Sequence, residues 1–341
     1  MKAVVLVGGE GTRLRPLTET IPKPLVHFMN RPFIDHVLDH LGGHGVEEVI
    51  LSSSYLEEEF HSYLHERRGP PSVTWITEPQ PLGTSGAIVG ARDHLDDTFL
   101  VLNGDVLTDL DLEALVAFHR DRGAIATIAL TPVDDARPYG LVETEPDGRV
   151  LAFREKPSQL VPGTINAGTY VLEPRALEKV PAREEVSIER QTFPSLIEGG
   201  EPVYALVSHA YWRDLGTPEA YIQAHIDAME GLVAPYRGSA GPLVDERAVV
   251  HPEAVLGPHV VVGEGTRVGP GASIDRSVLQ RDVVVEEGAT VEGSILGPAS
   301  RVGAGARVRN AVLAEGARVA GGAALDGLGV RPGQVAAASA G

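Results

Sequence analysis

A glycine-rich turn, a few isolated cations and two carboxylates that follow apolar runs are the parts of this sequence best suited to chemistry. The turn reads Gly8-Gly9-Glu10-Gly11-Thr12-Arg13-Leu14-Arg15-Pro16-Leu17-Thr18, directly after the apolar run Ala3–Val7. Glycines let backbone N–H groups approach phosphate oxygens closely, and the turn or helix that follows supplies further donors. A P-loop would need a Gly-Lys-Ser/Thr ending, which is missing, and a dinucleotide fingerprint would need a third glycine where Arg13 stands. An arginine in that position meets phosphates. Arg13 and Lys23 both sit among Gly, Pro and Leu, which sets them apart from solvated surface charges. Asp105 and Asp214 each follow an apolar run, and aspartates at strand ends offer the oxygen donors that a hard cation takes. Either aspartate alone could equally be a turn former or a helix cap.

These residues need elements to hold them. From residue 1 to 231, apolar runs of strand length alternate with segments of helical period, the pattern of an α/β domain with a mixed, mainly parallel sheet. Strands are expected at Ala3–Val7, Glu48–Ser52, Val73–Thr77, Phe99–Leu102 and Ala126–Thr131, then near 140–144, 150–154, 167–172 and 203–206. Phe33, Ile34, Val37, Leu38 and Leu41 share a helical face, and Leu112, Leu115, Val116 and Phe118 suggest another. Thr217-Pro218-Glu219 is a helix start, with a capping hydroxyl and a proline at the first position, for a helix running to about Met229. Residues 232–249 read as a linker rich in Gly and Pro.

Beyond the linker the period changes. Aliphatic residues recur every six positions at Val250, Leu256, Val262, Val268 and Ile274; the rhythm then becomes five, six, six, so that Ile274, Val291, Val308 and Leu325 are spaced by 17. No helix keeps a six-residue period on one face, whereas short strands joined by turns stack such residues into one inner column. Residues 250–329 are therefore expected to form a hexapeptide-repeat parallel β-helix, with 330–341 a frayed tail.

Composition narrows the partners. The net charge of −18 opposes nucleic acid and anionic membranes, so an anionic ligand must be met by a few local cations. The run Ala3–Val7 is far too short for a signal core or a membrane span, and the lack of cysteine excludes disulfides and fits the cytoplasm. His36 and His40 lie four apart beside Asp35 and Asp39, an ordinary polar helix face rather than a zinc site. Trp212 reads as a packing residue beside Asp214. The exposed ends of a short β-helix favour a homo-oligomer.

The stretch GGEGTRLRPLT followed by Pro22-Lys23-Pro24-Leu25 resembles the signature of sugar-nucleotide pyrophosphorylases, and most of all the mannose-1-phosphate guanylyltransferases among them. Glu78-Pro-Gln-Pro-Leu-Gly-Thr-Ser-Gly86, Asn103-Gly104-Asp105, Phe153-Arg-Glu-Lys-Pro157, Asn166-Ala167-Gly168 and Tyr211-Trp-Arg-Asp-Leu-Gly-Thr-Pro218 follow in the same order, so the resemblance spans essentially the whole chain. It implies a Rossmann-like nucleotidyltransferase domain over 1–231, a left-handed parallel β-helix behind it, and transfer of a nucleoside monophosphate from an NTP to a sugar 1-phosphate with Mg²⁺ as cofactor. By the same resemblance Arg13 contacts the departing pyrophosphate and Lys23 the phosphates at the reacting centre. Asp105 and Asp214 hold the metal. Gly8, Gly9, Gly11, Thr12, Glu78, Gly83 and Gly86 frame the nucleotide, and Gly140, Glu155, Lys156 and Asn166 face the sugar phosphate.

No protein nucleophile is required, because a phosphate monoester with a second pKa near ~6 is already largely dianionic at neutral pH. Glucose-1-phosphate thymidylyltransferases are the nearest alternative. They typically carry glutamine where Pro24 stands and lack PLGTSG in this form, which favours GTP and mannose 1-phosphate; another hexose or a cyclitol phosphate stays open. A regulatory nucleotide-sugar-binding paralogue is the non-enzymatic alternative, although Arg13, Lys23, Asp105, Lys156 and Asp214 are all retained. An acyltransferase β-helix would need an inserted loop and a catalytic histidine between coils. The repeat has no insertion, and its histidines, His251 and His259, lie in the first coils.

Overall fold

The computed structural model describes residues 1–53, 55–78, 80–154, 161–182 and 184–337. Two compact units divide the chain: residues 1–9 with 36–212, and residues 10–35 with 213–341.

Among the described residues the first unit is a nine-stranded mixed sheet with helices α1 (Phe33–Gly43), α2 (Glu57–Glu66), α3 (Gly83–Gly90), α4 (Leu112–Arg122) and α5 (Phe193–Glu198). Its strands are β1 (Lys2–Leu6), β2 (Glu48–Ser53), β3 (Ser72–Thr77), β4 (Phe99–Asn103), β5 (Ala126–Val133), β6 (Leu141–Thr144), β7 (Val150–Arg154), β8 (Gly163–Leu172) and β9 (Val203–Val207). The order is β7-β6-β8-β4-β1-β2-β3, with β5 pairing both β8 and β9. β1 runs parallel to β2 and β4, and β2 to β3, while β8 is antiparallel to β4 and β5. The central runs Ala3–Val5, Val49–Leu51 and Phe99–Val101 are almost wholly buried, as parallel strands covered on both faces must be. Ile88, Phe99, Tyr170 and Phe193 close the core from helix and sheet sides.

The second unit holds the β-helix. One face carries Leu243–Val244, Val261–Val262, Val278–Leu279, Ile295–Leu296, Val312–Leu313 and Gly329–Val330. A second carries Val249–Val250, Arg267–Val268, Val284–Val285, Arg301–Val302, Arg318–Val319 and Val335–Ala336, and a third has five strands from Val255–Leu256 to Ala324–Asp326. All pairings are parallel, with Ile274, Val291, Val308 and Leu325 in register, so the column expected from the 17-residue spacing is the inner column observed. This agrees with a left-handed hexapeptide β-helix.

Its limits differ from the expectation at both ends. Leu243–Val244 and Val249–Val250, read as linker, already pair into the next coil, and Val335–Ala336, read as frayed tail, pairs with Arg318–Val319. The backbone ladder of a neighbouring coil orders these segments despite their Gly and Pro content.

Gly265, Asp282, Ala299, Gly316 and Gly333 stand 17 apart at one corner, all with positive φ, 54° at Ala299. Only glycine takes that conformation without a steric cost. Ala299→Gly is expected to stabilise the chain by about 0.5–1 kcal/mol in chemical denaturation.

His40 lies on α1 (Phe33–Gly43); burial, then the neighbouring His44, pushes its pKa from 6.5 down to about 4, against an opposing pull from Asp109 and the Leu110 backbone. Burial lowers His119 in the same sense. The unfolded chain therefore binds protons below pH 6.5 that the folded chain refuses until about pH 4. Stability is expected to be fully present above pH 6.5 and to fall towards pH 4, by at most about 3 kcal/mol from His40. Thermal melts of His40→Gln across that window should show a shallower slope than the parent.

Candidate functional site

The signature turn is built from two short 3₁₀ turns, Thr12–Leu14 and Leu17–Glu19. Gly11 opens it in the left-handed region at φ 60°, and a methyl on it would lie 3.0 Å from Thr18 Cγ2 and 3.2 Å from Lys23 Cβ. Glycine is thus demanded twice, by conformation and by space. The Thr18 hydroxyl donates to the Gly11 carbonyl at 2.8 Å and fixes the loop base. Leu14 and Leu17 turn inward, 1% and 0% exposed, while the Arg13 side chain stays 63% exposed. Arg15 pairs with Glu10 at 2.8 Å.

Asp214 collects the cations. Its Oδ2 accepts from Arg13 Nη2 at 3.0 Å and its Oδ1 from Lys23 Nζ at 3.2 Å. Lys23 is only 8% exposed, and an ammonium that deep needs a partner anion. Two residues after Asp214, a methyl on Gly216 would stand 2.7 Å from Arg13 Cζ and 2.9 Å from Asp214 Oδ1, so any larger residue would intrude on the pair. Thr217 then caps α6 (Pro218–Met229), its hydroxyl accepting from Ala220 N at 3.2 Å, as the sequence indicated. Arg213 turns away to Asp227, with Nη2 to Oδ2 at 2.9 Å.

The first unit carries the remaining described candidates. Gly104 N–H donates to Leu6 O at 3.0 Å, and a methyl on Gly104 would lie 2.8 Å from Val7 Cγ1. This close approach sets Asp105 in the turn at the carboxyl end of β4, beside the end of β1 from which Gly8 follows. Ligands of open α/β sheets are bound at this edge. Gly9 faces open space: a methyl added to it would meet nothing within 4 Å. Glu78 is buried: it accepts from Ser52 Oγ at 2.9 Å and from Leu82 N at 3.2 Å, and a methyl on Gly8 would touch its Oε1 at 3.7 Å.

Gly83 and Gly86 lie in α3 (Gly83–Gly90), where methyl groups would meet Val186 O at 2.7 Å and Leu82 Cβ at 2.5 Å. Close packing explains both glycines. Asn166 spends its amide internally, accepting from Gly168 N at 2.9 Å and donating to Tyr170 OH at 2.7 Å. Gly140 immediately precedes β6. Trp212 donates to Ala167 O at 2.8 Å and meets Tyr139 edge-on, the packing role expected of it. Glu155 and Lys156 lie outside the described residues.

Residues 2–231 match the family described as nucleotidyl transferase, which covers well over half the sequence. The chain belongs to the nucleotidyl transferase family. Residues 240–339 match the GMPPB C-terminal domain. Among curated relatives of this transferase, the mannose-1-phosphate guanylyltransferase of Mycobacterium tuberculosis is 41% identical, the match covering 84% of this chain and 81% of that protein. The mannose-1-phosphate guanyltransferase of Candida albicans is also 41% identical, over 85% of this chain and 84% of that protein. HddC from Yersinia pseudotuberculosis, solved as a complex with GMP-PN, is 33% identical with a TM-score of 0.58, covering 65% of this chain and 97% of that one.

Sequence reasoning overlooked two residues of the transferase's loop, Thr18 and Gly216. Both lie inside the quoted motifs and show their roles only through packing. Gly216→Ala is expected to displace Arg13 from Asp214 and lower kcat/KM for nucleotidyl transfer about tenfold to a hundredfold, with the melting temperature near the parent's. Steady-state kinetics beside a thermal melt check this.

Proposed function

We propose that this chain transfers the guanylyl group of GTP to mannose 1-phosphate, forming GDP-mannose and releasing pyrophosphate. The observation that carries the reading is the convergence of Arg13 and Lys23 on Asp214, in a chain so similar to mannose-1-phosphate guanylyltransferases. Arg13 and Lys23 bring two positive charges to one place in a molecule whose net charge is −18. Such local cations are what two anionic substrates require before they can approach.

In the proposed reaction an oxygen of the sugar phosphate attacks the α-phosphorus of GTP. The bond from that phosphorus to the bridging oxygen breaks, and pyrophosphate leaves with its electron pair. Arg13, flexible at its exposed end, stabilises the departing pyrophosphate. Lys23, held in a fixed place by its burial, neutralises charge at the transferred group. Gly8, Gly9, Gly11, Thr12 and the Glu78–Gly86 stretch frame the nucleotide, while Gly140, Glu155, Lys156 and Asn166 bind the sugar phosphate. Residues 1–231 are the proposed catalytic domain.

Transferases of this family generally use a divalent metal, and we assign Mg²⁺ to Asp105 and Asp214. The donors fit a hard cation: the Asp214 side chain is 20% exposed, and each of its oxygens retains a lone pair beyond the one engaged by Lys23 or Arg13. When bound, the ion would neutralise phosphate charge and polarise the phosphorus. A homo-oligomer is also proposed, supported by Val249 and Val255, 62% and 64% exposed on the open first coil. No helix among the described residues is long and apolar enough to cross a membrane, and the cytoplasm is the proposed compartment.

A matrix of nucleoside triphosphates against sugar 1-phosphates, read by pyrophosphate release with Mg²⁺, should peak at GTP with mannose 1-phosphate. A peak at another pair would replace the substrate assignment, and no turnover anywhere would end the enzymatic reading. Asp105→Asn and Asp214→Asn should each lower kcat by about a hundredfold or more while the fold is retained.

A further inference from the structure

The three faces of the β-helix differ in what they turn outward. On the second face the outward column reads Val249, Arg267, Val284, Arg301, Arg318 and Val335, and on the third it is exposed throughout from Ser273 to Asp326 and polar or charged except at Ala324. The first face alone is apolar in coil after coil, with Val261, Val278, Ile295 and Val312 all buried. Leu14, Leu17 and Val26 of the signature segment and Tyr221, Ile222, Ile226 and Met229 of α6 cover that column in one cluster. Polar ties flank it: Asn30 Nδ2 donates to Val262 O at 3.0 Å, and Arg331 Nε lies 3.7 Å from Glu19 Oε1.

We propose that this face is the seat that positions Arg13 and Lys23 for phosphate binding, and that Gly329 and Gly297 are positioning residues of the reaction. Two 3₁₀ turns of three residues each cannot hold their own shape, since such short pieces make few and poor hydrogen bonds. Leu14 and Leu17 must find a surface, and the β-helix supplies one. The same surface takes α6, whose first turn follows Asp214. Both halves of the Arg13–Asp214 and Lys23–Asp214 pairs are therefore registered against a single rigid object.

The fit is close enough to exclude side chains. A methyl on Gly297 would lie 3.1 Å from Leu17 Cδ1, although it would also press on the coil's own backbone at Leu313 O, 2.6 Å away. Gly329 is the cleaner probe. The three atoms nearest a methyl there all belong to Pro16, Cδ at 2.7 Å, Cγ at 3.2 Å and N at 3.9 Å. A side chain at 329 therefore pushes first on the loop.

The inference rests on the phosphate role given to Arg13 and Lys23, and the experiment separates the two. In the full-length chain, Gly329→Ala and Gly329→Val are compared with Arg318→Ala on the second face. Amide hydrogen exchange is followed at residues 11–19 and in the coils, and kcat and both KM values are measured. The seat predicts faster exchange at 11–19 and a kcat loss graded with side-chain size, about tenfold or more for Val. Coil exchange and the mannose 1-phosphate KM should stay within about twofold of the parent's, and Arg318→Ala should behave as the parent throughout. Unchanged exchange and kcat in both Gly329 variants would overturn the proposal, as would coil exchange rising with that of the loop. Faster loop exchange with full activity would overturn positioning if Arg13→Ala is inactive. If Arg13→Ala is itself fully active, the phosphate assignment is what has failed.

Discussion

One carboxylate between two cations organises the second unit. Lys23 is buried with Asp214 facing it at 3.2 Å, and an ammonium that deep is kept inside by such compensation for its lost hydration. Arg13 takes the other oxygen, and most of the odd features nearby follow from letting it do so. Gly216 clears the approach, Gly11 turns the chain in a conformation that also spares Lys23, and the Thr18 hydroxyl ties the loop's two ends together. Thr217 then starts α6 at once, so the segment bearing Asp214 has little room to shift.

The arrangement also answers an electrostatic problem posed by the whole chain. A molecule at −18 repels phosphates at a distance, and screening at physiological salt confines that repulsion to about 8 Å. What matters to an anion at close range is the local field, and Arg13 and Lys23 both contribute to it. In the proposed reaction Lys23 and Arg13 would divide the task by burial: one is desolvated, the other reaches into solvent.

Much of this was legible in the sequence because its signals were local or periodic. The cap at Thr217, the strand runs of the central sheet and the six-residue rhythm each leave a mark within a short window. The inner column could be counted to the residue, as Ile274, Val291, Val308 and Leu325 show. What escaped depended on partners far along the chain. No helix was legible around Gly83 and Gly86, yet they sit in one that the carbonyl of Val186 presses upon; tertiary packing there overrides poor helix propensity. Val335–Ala336 read as a fraying end because nothing nearby announces the ladder with Arg318–Val319. The apolar outward face was in plain view as Val261-Val262, Val278-Leu279, Ile295-Leu296 and Val312-Leu313, but attention to the period of six follows only the second member of each pair.

Those doublets bear on why a transferase carries a β-helix. In these four strands both members of the apolar pair are buried, as in the covered strands of a parallel sheet. One member fills the interior of the coil and the other must be covered from outside. In this chain the covering comes from the signature segment and α6, elements whose own shapes need support. Each coil of a β-helix is hydrogen-bonded to the next, so the surface offered is stiff along the whole stack. The last full coil matters as much as the middle ones, since Gly329 underlies Pro16 and Arg331 reaches Glu19. A repeat domain that could be read as an appendage thus shares its outer face with the loop bearing Arg13, and its length is matched to the segment it supports.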